Sequence, residues 1–320
     1  LPPHKLHLNI KYTTLSLTSI IKQPLNLELE KDHIIFNHWN KEDWLQQVYS
    51  IYQKYRPEML PRIIVFSFVP SFTCERLEPL HLVTFACLIH YLDKKGHIAS
   101  LDNSNNRQIH DYIFNDLNMA AYWKGGQNHV DATSSEQIFN LWRIIEEEKD
   151  LYAKNVEEYF KRNYFKNKDL SAISVSLVEA FYNVFDHADA NGNAYSMIFY
   201  DKEKQMLSYA VADFGIGIPT SVRKFKPEIR SDEDAIIWAI EDNSTVHSTK
   251  RNRGFGMSNI LTAATTARIF SNKGLIVRKN DSYRMYHIGN FSFPGTLIYL
   301  TIDMNSFEEE EIVESITFTI

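Results

Sequence analysis

The sequence predicts an α/β protein in which a C-terminal two-layer α/β sandwich follows an N-terminal α/β domain. Three observations lead there. Residues 62–119 alternate short β-branched and aromatic runs with segments of helical period, as expected of a βαβ unit on a parallel sheet. Residues 169–305 place a long apolar-faced helix before a series of short strands, the order of helices packed on antiparallel strands. Between them, "WKGGQNHVDATSSEQ" (123–137) is polar and contains glycine, which marks a boundary. The 320 residues exceed the usual size of one domain. The expected division is residues 1–125, a connecting helical segment over 126–168, a second domain over 169–305, and an acidic tail over 306–320.

Composition narrows the class. A hydrophobic content of 44% with 13% aromatics excludes wholesale disorder, and a formal charge of −6 gives no reason to expect general nucleic-acid binding. Cys74 and Cys87 are the only cysteines, which suits a reducing compartment and packing thiols rather than a disulfide. "LPPHKLHLNIKYTTLSL" has polar residues where a signal peptide needs an unbroken apolar region, and no run reaches the ~18–20 apolar residues of a membrane span. A cytoplasmic protein without membrane association is expected. The chain begins with Leu1 rather than Met, which suggests residues upstream.

Residues 5–36 alternate apolar and polar in short runs and read as β-hairpin material interrupted by Pro24. Trp44, Val48, Ile51, Tyr52 and Tyr55 then recur at helical spacing after Asn40, a capping residue. A buried strand is expected over 62–69, a helix up to Gly96, a strand over 97–103 and a helix over 107–119. Thr133 and Glu136 have the spacing of a capping box. They open a long charged helix or helix pair over 134–165, whose stripe of Ile138, Leu141, Trp142 and Ile145 packs on its own domain or serves as a connector or dimer element. The C-terminal domain starts with a helix over 171–188 and strands near 195–200 and 205–212. A loop-rich insert over 214–253 and a helix over 257–266 precede strands near 267–271, 274–278, 284–289 and 295–302. "FEEEEIVE" (307–314) reads as a solvated acidic run.

Within this frame, "VEAFYNVFDHADANG" (178–192) stands out. At helical pitch Glu179, Asn183 and Asp186 fall within about 60° of one another, and Leu177, Phe181, Val184 and Phe185 lie opposite. Ordinary exposed faces interleave basic residues at i,i+4, and none is present here. An oxygen-rich patch suits Mg²⁺, which takes carboxylate or amide oxygens together with phosphate and water. In "YAVADFGIGIP" (209–219) a strand runs into Asp213, followed by Gly215 and Gly217, an acid at a strand end with no side chain blocking a ligand. In "KRNRGFGMSNILTAATTA" (250–267) Gly254 and Gly256 open a helix behind Lys250, Arg251 and Arg253, a cradle for phosphate. Gly295 and Thr296 start the last strand. Taken singly, each of these also fits a structural role: an exposed face, a glycine turn, a hinge.

In sequence order, "EAFYNVFDH", "DFGIGIP", "GFGMS" and "GT" resemble the boxes of the GHKL (Bergerat) ATP-binding fold, shared by gyrase, a heat-shock chaperone, histidine kinases and mismatch-repair ATPases. The resemblance spans residues 165–305. It implies ATP and Mg²⁺ as cofactors, Asn183 as the metal ligand, and Glu179 as the carboxylate that positions or activates the attacking group. Asp213 would accept from the adenine N6 amine with help from Thr296, Gly215 and Gly217 would frame the base, and Gly254 and Gly256 would free the 214–253 lid. Lys250, Arg251, Arg253 and Ser258 would contact phosphate; the roles of Asp186 and His187 stay open. Residues 62–119 resemble a STAS-like domain, the module of anti-sigma factor antagonists. "PSFTCERL" departs from its phosphorylated Asp-Ser pair and leaves Ser71 and Thr73 as distant stand-ins. The combination implies a regulatory switch close to the anti-sigma factor kinases, acting on a protein partner as a serine/threonine protein kinase-like module. An ATPase whose hydrolysis opens and closes a homodimer, and a non-catalytic nucleotide-binding module, are the alternatives.

Overall fold

The computed structural model describes residues 12–14, 29–117, 119, 137–187, 193–240, 261, 264–279 and 282–309. Two sheets organise them. The smaller contains β1 (Tyr12–Thr14), β2 (Lys31–Phe36), β3 (Ile63–Phe68) and β4 (Ile98–Asp102) in the order β1-β4-β3-β2. Strands β2, β3 and β4 run parallel, and α2 (Pro79–Lys94) connects β3 to β4, so the expected βαβ unit is present. The hairpin expected over 5–36 is not formed by the described strands. β1 pairs antiparallel with β4 and β2 pairs parallel with β3, because the alternating pattern specifies a strand and leaves its partner unspecified.

Helix α1 (Lys41–Lys54) starts where expected: the Asn40 side chain accepts from the Glu42 N–H at 3.0 Å. Its Trp44 stacks on Phe36 with ring centroids 4.4 Å apart. Gly96 ends the α2 segment at φ +83°, a left-handed conformation that suits glycine. After β4, α3 (Arg107–Asp111) continues as a π-helical turn over Tyr112–Asp116.

The larger sheet has the order β10-β9-β8-β11-β7-β6-β5. Its strands are β5 (Ile138–Ile144), β6 (Ala194–Asp201), β7 (Met206–Asp213), β8 (Thr266–Asn272), β9 (Gly274–Lys279), β10 (Ser282–His287) and β11 (Phe293–Asp303). All its pairings are antiparallel. One face carries Tyr209, Val211, Ile298 and Leu300. It packs under α4 (Lys149–Asn163), α5 (Ser171–His187), α6 (Ile218–Arg223) and α7 (Asp232–Ile240). The other face carries Tyr195, Met197, Ala210, Leu297 and Tyr299 and packs on α1 and α2. Helix α2 is therefore buried nearly all round, between two sheets, and the two halves share one apolar core.

The helix expected through 134–165 is corrected at 138–144, which form the edge strand β5. A bulge between Phe139 and Trp142 explains the misreading. Both faces of β5 are covered, and the bulge shifts its phase. Ile138 and Leu141, three apart, fall on the α2 face, while Phe139, Trp142 and Ile144 fall on the other. A bulged, doubly buried strand thus imitates helical spacing. The Thr133–Glu136 capping box lies outside the described residues. At the other end of the chain, the Lys168 ammonium donates to the carbonyls of Met304 (2.8 Å) and Phe307 (3.0 Å), and Lys168 bridges to Glu309, so the acidic run begins docked.

One polar cluster crosses the shared core. Glu78, just before α2, pairs with Lys41 of α1 at 2.5 Å and accepts from the Tyr299 hydroxyl of β11. Burial pushes its carboxyl up, but the hydrogen bonds from Lys41 and Tyr299 outweigh this and leave it below its ordinary value. Glu78→Ala removes the carboxylate partner of both Lys41 and the largely buried Tyr299 hydroxyl, so the unfolding free energy should fall by about 2 kcal/mol in a denaturant titration. For wild type, Glu78's contribution is present above its unfolded pKa and fades as pH falls into the acid range. An unchanged midpoint in the variant would show that the cluster does not join the two halves.

Candidate functional site

Asp213 ends β7 directly opposite Thr296 of β11. Alternation along β7 puts it on the same face as Tyr209 and Val211, the face under α5 and α6. It is only 1% exposed. Its Oδ1 accepts from the Gly215 N–H at 2.7 Å and its Oδ2 from the Thr296 N–H at 3.2 Å. Burial pushes the carboxyl from 3.8 up to about 8, and the two backbone donors offset that only in part. A dry carboxyl group with each oxygen already oriented by a backbone N–H has lone pairs to spare, and once ionised it is an acceptor for an incoming N–H group.

Glycine makes this geometry accessible. Gly295 has φ +111°, and a Cβ there would lie 2.3 Å from the Asp213 carbonyl oxygen and 2.6 Å from the Gly215 nitrogen. At Gly217, φ +81°, a Cβ would lie 2.6 Å from Asn272 Oδ1 and 2.8 Å from Ser271 Oγ. The β7–α6 turn and the start of β11 therefore close on each other through two residues without side chains. Ser271, at the end of β8, links them: it accepts from the Ile218 N–H at 2.9 Å and donates to the Gly295 carbonyl at 2.8 Å. Its hydroxyl also lies 3.3 Å from that of Thr296. Sequence reasoning missed Ser271. The only signal was a serine following the apolar pair Ile269–Phe270 near the end of the strand.

Helix α5 follows the expected division of faces. Leu177, Phe181 and Val184 are buried, whereas Glu179 and Asn183 are half-buried. The helix packs on β7 and α6, and Ser176 hydrogen-bonds the Tyr209 hydroxyl in the core. Glu179 and Asn183 thus lie on a helix covering the sheet face to which Asp213 belongs. The Asn183 amide nitrogen donates to the Glu179 carbonyl at 2.8 Å, which leaves Oδ1 as the acceptor end of the side chain. That oxygen is of the type Mg²⁺ accepts. Among the described residues no group of three or more His, Cys, Asp or Glu could hold a metal ion. A cation on Asn183 would need oxygens from a bound phosphate and water, which is how Mg²⁺ is usually held.

Asp213, Gly215, Gly217 and Thr296 are therefore brought together, and Glu179 and Asn183 share one helix against the same strand. Lys250, Arg251, Arg253, Gly254, Gly256 and Ser258 lie outside the described residues, as do the side chains of Asp186 and His187. Among the described residues no helix is long and apolar enough to cross a membrane. No family model matches the chain, and no curated protein matches it.

Proposed function

We propose that the chain is an ATP- and Mg²⁺-binding regulatory protein of the GHKL type, a switch whose nucleotide state acts on a protein partner. The observation that carries this reading is the buried Asp213 carboxylate, held by the N–H groups of Gly215 and Thr296 and reached past Gly217 and Gly295. These residues come from two of the four boxes in the sequence, and they converge on one acceptor suited to the adenine amine. In this reading Asn183 contributes its amide oxygen to Mg²⁺, and Glu179 orients the group that attacks the terminal phosphate. Bound Mg²⁺ would neutralise charge on the triphosphate. The mixed α/β architecture, with helices over the Asp213 face of an antiparallel sheet, suits the same fold. The parallel β2-β3-β4 order crossed by α2 supports a STAS-like N-terminal half.

For the homodimeric ATPase alternative, 138–144 form a strand of the sheet, and of the expected 134–165 element Lys149–Asn163 is helical. Incubation with γ-labelled ATP and Mg²⁺, followed by separation of free phosphate from protein-bound label, tests the reading. Label on the protein or on an added partner is expected, and Asn183→Ala should lower nucleotide retention about tenfold or more. Free phosphate that disappears in Asn183→Ala would instead establish an ATPase. Absence of any nucleotide retention would overturn the reading.

A further inference from the structure

On the opposite face of the larger sheet from Asp213, a cleft of about 570 Å³ opens where the two halves meet. Small-molecule sites commonly measure roughly 300–1,000 Å³. Four stretches of chain build its wall: residues 57–59, the second half of α2 with the turn after it, the start of β6, and Phe214 just after β7.

Two kinds of surface meet there. Tyr91 and Phe214 contact each other edge-on with centroids 6.4 Å apart, and Tyr52 contacts Phe214 edge-on at 5.6 Å. Tyr91 and Phe214, their planes inclined at 61°, give the cleft two aromatic faces. Beside them stand Lys94 and Lys95, both exposed. Burial, and then the charge of Arg143 close by, lowers the Lys94 ammonium from its ordinary value, as expected of a cation with cationic neighbours. Glu58 is the acid among the lining residues, and it is exposed. The last carbonyls of α2 do not counter the lysines as bare acceptors, because Tyr91, Leu92 and Asp93 accept from the N–H groups of Lys95, Gly96 and His97. His90 lines the cleft as well. Its Nδ1 meets the Tyr195 hydroxyl at 2.8 Å, while Nε2 has no hydrogen-bond partner among the described residues.

We infer that this cleft is a second ligand site, for a small molecule that joins a flat ring to an anionic group. The ring lies against Tyr91 and Phe214, and the anion meets Lys94 and Lys95. The anion is a phosphate monoester or a carboxylate. This assignment does not depend on the nucleotide reading: Asp213 projects from the other face of the sheet, and Phe214, the next residue, belongs to the cleft.

Saturation-transfer NMR on the full chain, with phenyl phosphate and benzoate as probes and phenol as the neutral control, tests it. Neither acid carries an adenine amine for Asp213. At least one of them should bind, and which one identifies the anion. The double variant Lys94→Glu/Lys95→Glu, at exposed positions that leave folding intact by thermal melt, should weaken binding about tenfold or more. Adenosine, which carries the amine for Asp213 and no anion, should not displace the probe. Failure of both acids to bind, phenol binding as tightly as they do, or indifference to the lysine charges would overturn the inference. Displacement of the probe by adenosine would place it in the nucleotide site instead, and would overturn the inference equally. A chain that retains no ATP but binds the probe here keeps the cleft and loses only the nucleotide reading.

Discussion

Replacing Asp213 by Asn is expected to remove a pH dependence of stability and to weaken ATP binding together. Burial raises the folded-state pKa of Asp213 from 3.8 to about 8. Between those values the folded chain keeps a proton that the unfolded chain releases. The contribution of this group is therefore complete below about pH 4 and is lost as pH rises towards about 8. The slope of that loss approaches about 1.4 kcal/mol per pH unit, the limit for one proton. Asn cannot titrate in this range. Denaturant unfolding of both proteins across the window should show the stability of wild type falling relative to the variant as pH rises. A difference that stays flat would mean that Asp213 is not held dry and without a cation. Asn also turns an N–H₂ donor towards Gly215 N or Thr296 N, each of which needs an acceptor. Above about pH 8, where Asp213 is ionised, losing this charge-assisted acceptor for the adenine amine should cost about 2–3 kcal/mol of ATP affinity. The same residue thus lowers stability near neutral pH and recognises ligand, the exchange expected of a functional site.

Gly295→Ala should be the most destabilising single substitution at the site. Its Cβ would lie 2.3 Å from a backbone oxygen and 2.8 Å from Asp213 Oδ1, at a φ of +111° that L-residues rarely adopt. The clash is with main chain, so no rotamer change relieves it, and β11 is a central strand paired to both β7 and β8. Backbone strain and the forced separation of β11 from the turn together should lower the unfolding free energy by about 3 kcal/mol or more. Gly289→Ala is the control: nothing lies within 4 Å of its Cβ and its φ is not positive, so the change should stay within about 0.5 kcal/mol. Equal midpoints for the two variants would show that β11 and the turn do not close on each other as described.

Much of this site is local in sequence, and that part was legible. An acid at a strand end followed by alternate glycines gave the β7–α6 turn, and period plus missing bases gave the half-buried Glu179 and Asn183. Ser271 was not legible, because a serine at the end of a strand has no periodic signature and acquires its role only when β8 lies beside β11. β5 was misread because burial on both faces and a bulge combined into helical spacing. The pairing of β1 with β4 could not be foreseen from alternation, which sets the face of a strand and not its neighbour. The cleft is the least legible feature. It joins residues 57–59, α2 and Phe214, which meet only because α2 lies between the two sheets.

The central claim is that Asp213 accepts from the amine of adenine in a Mg²⁺-dependent nucleotide site. Calorimetric titration of the full chain with ATP in Mg²⁺, repeated with GTP, tests it most directly. GTP carries an oxygen where adenine carries its amine, so above about pH 8, where Asp213 is ionised and the titration is run, it would face that carboxylate acceptor to acceptor. ATP should bind, and GTP should bind about a hundredfold or more weakly. Equal affinity for the two nucleotides, or no binding of ATP, would contradict the account.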